Sequence, residues 1–70
     1  MANNTHVNGQ MTWRPNGATS TDILYLRLDP SQSWRPYTDF PEYAQPDPPA
    51  FSKGYTTFLK LLKQNWQAVA

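Results

Sequence analysis

The distribution of proline constrains this sequence more than any other feature. Six of its seven prolines lie between Asp29 and Phe51, in the middle of a chain of 70 residues. Proline fixes φ and has no backbone N–H, so it disfavours both helix interiors and internal strands. Regular secondary structure is therefore expected mainly on either side of residues 29–51.

Aromatic rings recur at every third position inside this proline-rich segment, at Trp34, Tyr37, Phe40 and Tyr43. Polyproline II has three residues per turn, so the spacing predicts an extended, semi-rigid segment with the rings in one row. Two orientations stay open. The rings either pack inward, which burial favours for Trp34 and Phe40, or face a partner, where tyrosine hydroxyls tolerate water.

The residues before this segment predict a strand over 22–28. Alternation places Leu24, Leu26 and Leu28 on one face and Ile23, Tyr25 and Arg27 on the other. The residues after it predict a helix over 53–65, with Ser52 as its N-cap. Its apolar stripe is expected to comprise Tyr55, Phe58, Leu59, Leu62, Trp66 and Val69. Its opposite face is expected to comprise Thr56, Thr57, Lys60, Lys63 and Gln64.

The last residues allow two structures. Either the helix continues, or Asn65 ends it in the left-handed region and residues 66–69 form a short strand beside 23–28. The second is preferred because a lone strand cannot satisfy its own backbone groups.

Residues 1–20 are rich in Asn, Thr, Gly and Ser and show no periodicity, so a flexible N-terminal tail is expected. Residues 21–70 then form one small α+β domain. Its expected parts are a two-stranded sheet, a proline-rich aromatic extended segment and one C-terminal amphipathic helix against which that segment packs.

Composition argues against several functional classes. There is no cysteine and one histidine, His6, so no common metal-ligand set or Ser/His/Asp triad is expected, and neither is a cofactor. The glycines are isolated and form no phosphate loop. We expect a protein that is not an enzyme. The sequence has no signal-like N-terminal pattern and no apolar run of about 20 residues, which favours a cytoplasmic location.

A chain this short buries a thin core, which favours association with another chain. The sequence therefore predicts a non-catalytic protein–protein interaction module, a small accessory subunit, regulator or inhibitor of a larger assembly. The partner is another protein or a second copy of the chain. Trp, Tyr and Arg are enriched at binding hot spots. The residues predicted to contact the partner are Trp13, Trp34, Arg35, Tyr37 and Tyr43.

Two alternatives use the same residue types. The Trp and Tyr rings could stack on single-stranded nucleic acid, but the pI of 8.1 is low for that function and Asp39 and Glu42 would repel phosphates. The helix could lie on a membrane surface, but core packing explains its stripe equally well. Neither nucleic acid nor a membrane is therefore the expected partner.

Overall fold

The computed structural model describes residues 7–15, 22–49 and 52–69. These residues form a mixed α+β unit in which one helix covers one face of a single sheet. The elements are β1 (Gly9–Pro15), β2 (Asp22–Arg27), β3 (Arg35–Pro36), a 3₁₀ turn (Tyr37–Asp39), α1 (Tyr55–Leu62) and β4 (Trp66–Ala68). The strand order is β3-β2-β1-β4. The β1–β2 and β2–β3 pairs are antiparallel, and β4 runs parallel to β1.

The core lies between the helix and the sheet face that carries Leu24 and Leu26. Met11 lies directly opposite Leu26, and Trp13 directly opposite Leu24. Because side chains alternate along a strand, these residues share one face. Six apolar side chains are buried there: Met11, Leu24, Leu26, Phe40, Leu61 and Trp66.

The expected two-stranded sheet is wrong in its number of strands, since the sheet has four. Residues 9–15, expected within a flexible tail, form β1 between β2 and β4. Turn signals surround this stretch, but Gly9, Met11 and Trp13 alternate with polar residues and fill the helix-covered face. Residues 1–6 and 16–21, which complete the expected tail and its boundary, lie outside the described residues.

The strand expected at 66–69 is present as β4, but it pairs with β1 and not with β2. Asn65 precedes it with a φ of 67°, the left-handed conformation expected of a residue that ends a helix. The helix itself is shorter than expected, because α1 ends at Leu62.

The buried face of α1 differs from the expected stripe. Thr57 and Leu61 are fully buried, whereas Leu59 and Leu62 are exposed. The expected stripe was aligned with Trp66 as if the helix continued to that residue. Because Trp66 belongs to β4, the stripe was placed on the wrong side of the helix. The same alignment assigned Thr57 to the solvent-exposed face of the helix. The Thr57 hydroxyl is satisfied inside, since it accepts from the Gln45 N–H at 2.9 Å and donates to the Tyr43 carbonyl at 3.2 Å.

The proline-rich segment is not extended throughout, because its residues 37–39 form a 3₁₀ turn. A 3₁₀ helix also has three residues per turn, so the spacing of the rings does not distinguish it from polyproline II. The four rings are consequently not one row. Phe40 is buried, and Tyr37 and Tyr43 are partly buried against the core, while Trp34 lies on the opposite face of the sheet.

Candidate interaction surfaces

The sheet separates the five residues that the sequence predicts at a partner contact. Trp13, Tyr37 and Tyr43 are partly buried on the helix side. Arg35 lies opposite Leu26, on that same side, and is exposed. Trp34 lies on the other side. The structure therefore does not bring these five residues together in one patch.

Trp13, Tyr43 and Arg35 contact other side chains on the helix side. The Trp13 ring lies 5.4 Å from the Phe58 ring, and the Tyr43 ring meets Trp66 edge-on at 5.3 Å. Aromatic pairs at such distances add to the stability that burial provides. Arg35 Nε lies 3.3 Å from Asp39 Oδ2, an exposed ion pair that stabilises the fold little.

We call the face of the sheet that α1 leaves uncovered the open face. It carries a group of arginine and aromatic side chains that contact one another. Arg27 Cζ lies 4.2 Å from the centre of the Trp34 ring. Arg14 Cζ lies 5.4 Å from the Tyr25 ring and 6.0 Å from the Trp34 ring. The backbone of Lys53 forms an isolated parallel β-bridge with that of Ile23. Paired residues point to the same side of a sheet, so the Lys53 side chain lies on the open face as well. Three cations and two aromatic rings thus share the open face.

Arg27 is held in place by two glutamines. Its Nε donates to Gln10 Oε1 at 2.8 Å, directly across the β1–β2 pair, and its Nη1 donates to the Gln32 carbonyl at 3.4 Å. Asp29 is the acidic residue nearby. Hydrogen bonds from Ser31, aided by the charge of Arg27, lower the pKa of Asp29, so this carboxylate is ionised at neutral pH.

A second surface lies on α1 and consists of residues that the expected stripe had placed in the core. Tyr55, Leu59 and Leu62 are 36%, 42% and 43% exposed and occupy positions i, i+4 and i+7 of one helix side. We call this side the apolar flank. Its residues were recognisable as apolar in the sequence, but they were assigned to the core. The signal that could have corrected this was Leu61, which belongs to a stripe with Phe58 and not with Leu59.

The apolar flank lies on the side of α1 away from Thr57. Thr57 bonds to the proline-rich segment, and Leu59 and Leu62 lie on the helix side away from Thr57. Phe58, next to Leu62 on the helix surface, packs on Trp13 of β1. Leu62, at one end of the flank, is therefore next to the side chain that packs on β1.

One edge of the sheet is formed by β4. Among the described residues, this strand has no neighbouring strand on its outer side. The Val69 N–H bonds inward to the Met11 carbonyl at 2.8 Å. Because backbone groups alternate along a strand, the N–H and C=O of Ala68 point outward. Strand β4 carries neither proline nor charge, the usual protections of an edge, whereas the other edge strand contains Pro36.

Asp47 connects the proline-rich segment to the start of α1. Its Oδ2 accepts from the Gly54 N–H at 2.8 Å and its Oδ1 from the Thr56 N–H at 2.7 Å. Burial raises the pKa of Asp47, but its hydrogen bonds from Thr56, Gly54 and Tyr37 together outweigh burial and hold the pKa below its ordinary value. Burial, together with the nearby Asp47 charge, raises the pKa of Tyr37.

Within residues 7–15, 22–49 and 52–69 we find no cavity and no group of three side chains suited to a metal ion. Over the same residues, α1 is too short to cross a bilayer. No protein-family model matches the chain, and neither does a curated protein or a solved structure.

Proposed function

We propose that this protein is a non-catalytic protein–protein interaction module, a small cytosolic accessory subunit, regulator or inhibitor of a larger assembly. One observation carries the proposal: α1 has an exposed apolar flank, and the sheet that it covers ends, among the described residues, in the unpaired edge strand β4. Exposed apolar side chains that adjoin one another are typical of protein contact sites.

The occupant that this surface fits is an extended segment of another protein chain. Such a segment would hydrogen-bond to the outward backbone groups of Ala68 and so add a strand to the sheet. Alternate side chains of the added strand would point toward the helix side, where Leu59 and Leu62 lie. Main-chain bonds would supply affinity, and the apolar contacts would supply specificity.

Of the residues predicted at the contact, Trp13 adjoins this surface through Phe58. Its half-buried ring would border the docked segment. Trp34 belongs to the opposite face, and Tyr37 and Tyr43 pack toward the core. They are not required for this mode of binding.

The test begins with a photo-crosslinking amino acid at position 59 in cells, followed by mass spectrometry of the cross-linked chain. The captured protein is then purified and its affinity is measured by calorimetry. Leu59→Ser and Leu62→Ser are each expected to weaken binding about ten-fold, as loss of a hot-spot contact does.

Lys63→Ser is the matched control, because Lys63 is exposed just beyond the same helix but lies outside the apolar flank; it should bind as the wild type does. Circular dichroism verifies that all variants fold. Unchanged affinity of both leucine variants would refute the proposed surface. If the protein cross-linked only to a second copy of itself and light scattering showed a dimer, the surface would be a self-association surface and not a site for a different protein.

A further inference from the structure

The open face carries cations and rings that neither the core nor the apolar flank uses. Arg14, Arg27 and Lys53 supply positive charge there, and Tyr25 and Trp34 supply aromatic surface. We infer that the open face binds single-stranded nucleic acid, as a site separate from the apolar flank.

The stacking geometry is the first argument. Arg27 lies over the Trp34 ring at 4.2 Å, and Arg14 reaches both the Tyr25 and Trp34 rings, so two guanidinium groups and two rings already contact one another on this face. Nucleobases stack on aromatic rings and on guanidinium planes alike. An unpaired base can therefore stack on this group without any new side-chain type.

Preorganisation is the second argument. The Gln10 and Gln32 contacts fix the Arg27 guanidinium, so a base or phosphate that meets it orders little side chain on binding. Trp34 is half-buried by its neighbours, which likewise limits the entropy lost when a base docks.

Charge complementarity is the third argument. Arg14 and Lys53 are both exposed and lie on either side of Ile23, at one end of the open face. Arg27 lies at the other end. A phosphate backbone that crosses the sheet therefore meets positive charge before and after the rings. Asp29, near Arg27, is the opposing charge on this path.

Single strands fit this surface better than a duplex or an acidic protein. A duplex offers its base planes only at its ends, so the rings would contribute little. An acidic peptide would use the three cations but would not stack on the Tyr25 and Trp34 rings as bases do. Stacking on Trp34 is thus the feature that separates the inference from general polyanion binding.

Fluorescence anisotropy of a short labelled oligothymidylate, with the purified full chain at several salt concentrations, tests the inference. We expect a dissociation constant of about 10⁻⁶–10⁻⁴ M, and a slope of log K against log[salt] near about −2 for three phosphate contacts. Trp34→Ala should weaken binding about ten-fold or more, and Trp34→Phe should restore most of the affinity.

Variants that remove a positive or a negative charge should change the affinity in opposite directions. Lys53→Ala should reduce the salt slope by about 0.7, and Asp29→Asn should tighten binding. Lys63→Ala, on the other side of the molecule, is the cationic control and should leave affinity unchanged. Leu59→Ser should also bind the oligonucleotide normally, so this result is independent of the protein-docking proposal.

Three outcomes would overturn the inference, each with circular dichroism confirming the fold. They are no anisotropy change at low salt, equal affinity of the wild type and Trp34→Ala, and equal binding of a polyglutamate peptide. The last would indicate that the open face takes acidic protein segments instead.

Discussion

The Asp47 carboxylate accepts a hydrogen bond of 2.7 Å from the backbone N–H of Thr56, and this bond ties the proline-rich segment to the first turn of α1. Gly54 immediately precedes the helix, and no side chain at that position caps it. The first N–H groups of a helix have no hydrogen-bond partner within it. A negative charge near them interacts favourably with the positive end of the helix dipole. Asp47 supplies the cap that the sequence alone assigned to Ser52.

Removal of this cap should destabilise the protein. Asp47→Ala is expected to lower the free energy of unfolding by about 1–2 kcal/mol, because two backbone donors lose their acceptor. Urea denaturation measures the change. The comparison is Asp39→Ala, which breaks only the exposed pair with Arg35 and should cost about 0.5 kcal/mol or less. Equal losses in the two variants would contradict the assigned role of Asp47.

The same carboxylate should make stability depend on pH. The pKa of Asp47 in the folded protein is below the ordinary value of 3.8, so the unfolded chain binds the proton more tightly. Its contribution is therefore complete above that ordinary value and is lost as pH falls through the lower folded pKa. Asp47→Asn should show a smaller loss of stability than the wild type in urea melts below about pH 4. Parallel pH profiles would count against this linkage.

Local signals in the sequence were enough for several elements. The alternation of Leu24 and Leu26 placed both residues in the core, and β2 lies within the expected strand. Asn65 was expected to be left-handed before a last strand, and it has that positive φ immediately before β4, although α1 already ends at Leu62. These features depend on residues close in sequence, which is why pattern and turn chemistry identify them.

Features that depend on distant partners were not predictable in this way. Strand β1 is bordered by turn residues in the sequence, and its identity comes from pairing with β2 and β4. The face on which Trp34 lies follows from how the turn at residues 29–32 sets the β2–β3 register. One residue of slippage would have put its ring on the helix side. The open face and the apolar flank are both consequences of such long-range choices.

The buried face of α1 can be tested with a matched pair on the same helix. Leu61→Ala should cost about 2–5 kcal/mol, because Leu61 is fully buried and the change leaves a cavity. Leu59→Ala should change stability by about 0.5 kcal/mol or less, because Leu59 is largely exposed. Thermal or urea unfolding measures both. The reverse order of the two losses would restore the stripe expected from the sequence.

Gly54 is expected to tolerate no side chain. Its φ is 96°, and a Cβ there would lie 2.6 Å from Leu24 Cβ, a core atom that cannot move freely. Gly54→Ala should therefore cost at least about 1–2 kcal/mol. Asn65→Gly is the comparison, since glycine accepts the left-handed conformation at that site without strain. Wild-type stability of Gly54→Ala in urea would show that the junction before α1 is not constrained as described.

Thr57 offers a test of how a polar group stabilises this core. Its hydroxyl is fully buried and connects the Gln45 N–H to the Tyr43 carbonyl, so it holds the proline-rich segment on α1. Thr57→Val keeps the shape but leaves both backbone groups without their partner, and should cost about 1–3 kcal/mol. Thr57→Ser keeps the hydroxyl and loses one methyl group, so it should cost only about 1 kcal/mol. If the valine variant proved the more stable of the two in urea denaturation, packing and not the hydrogen bonds would hold the segment in place.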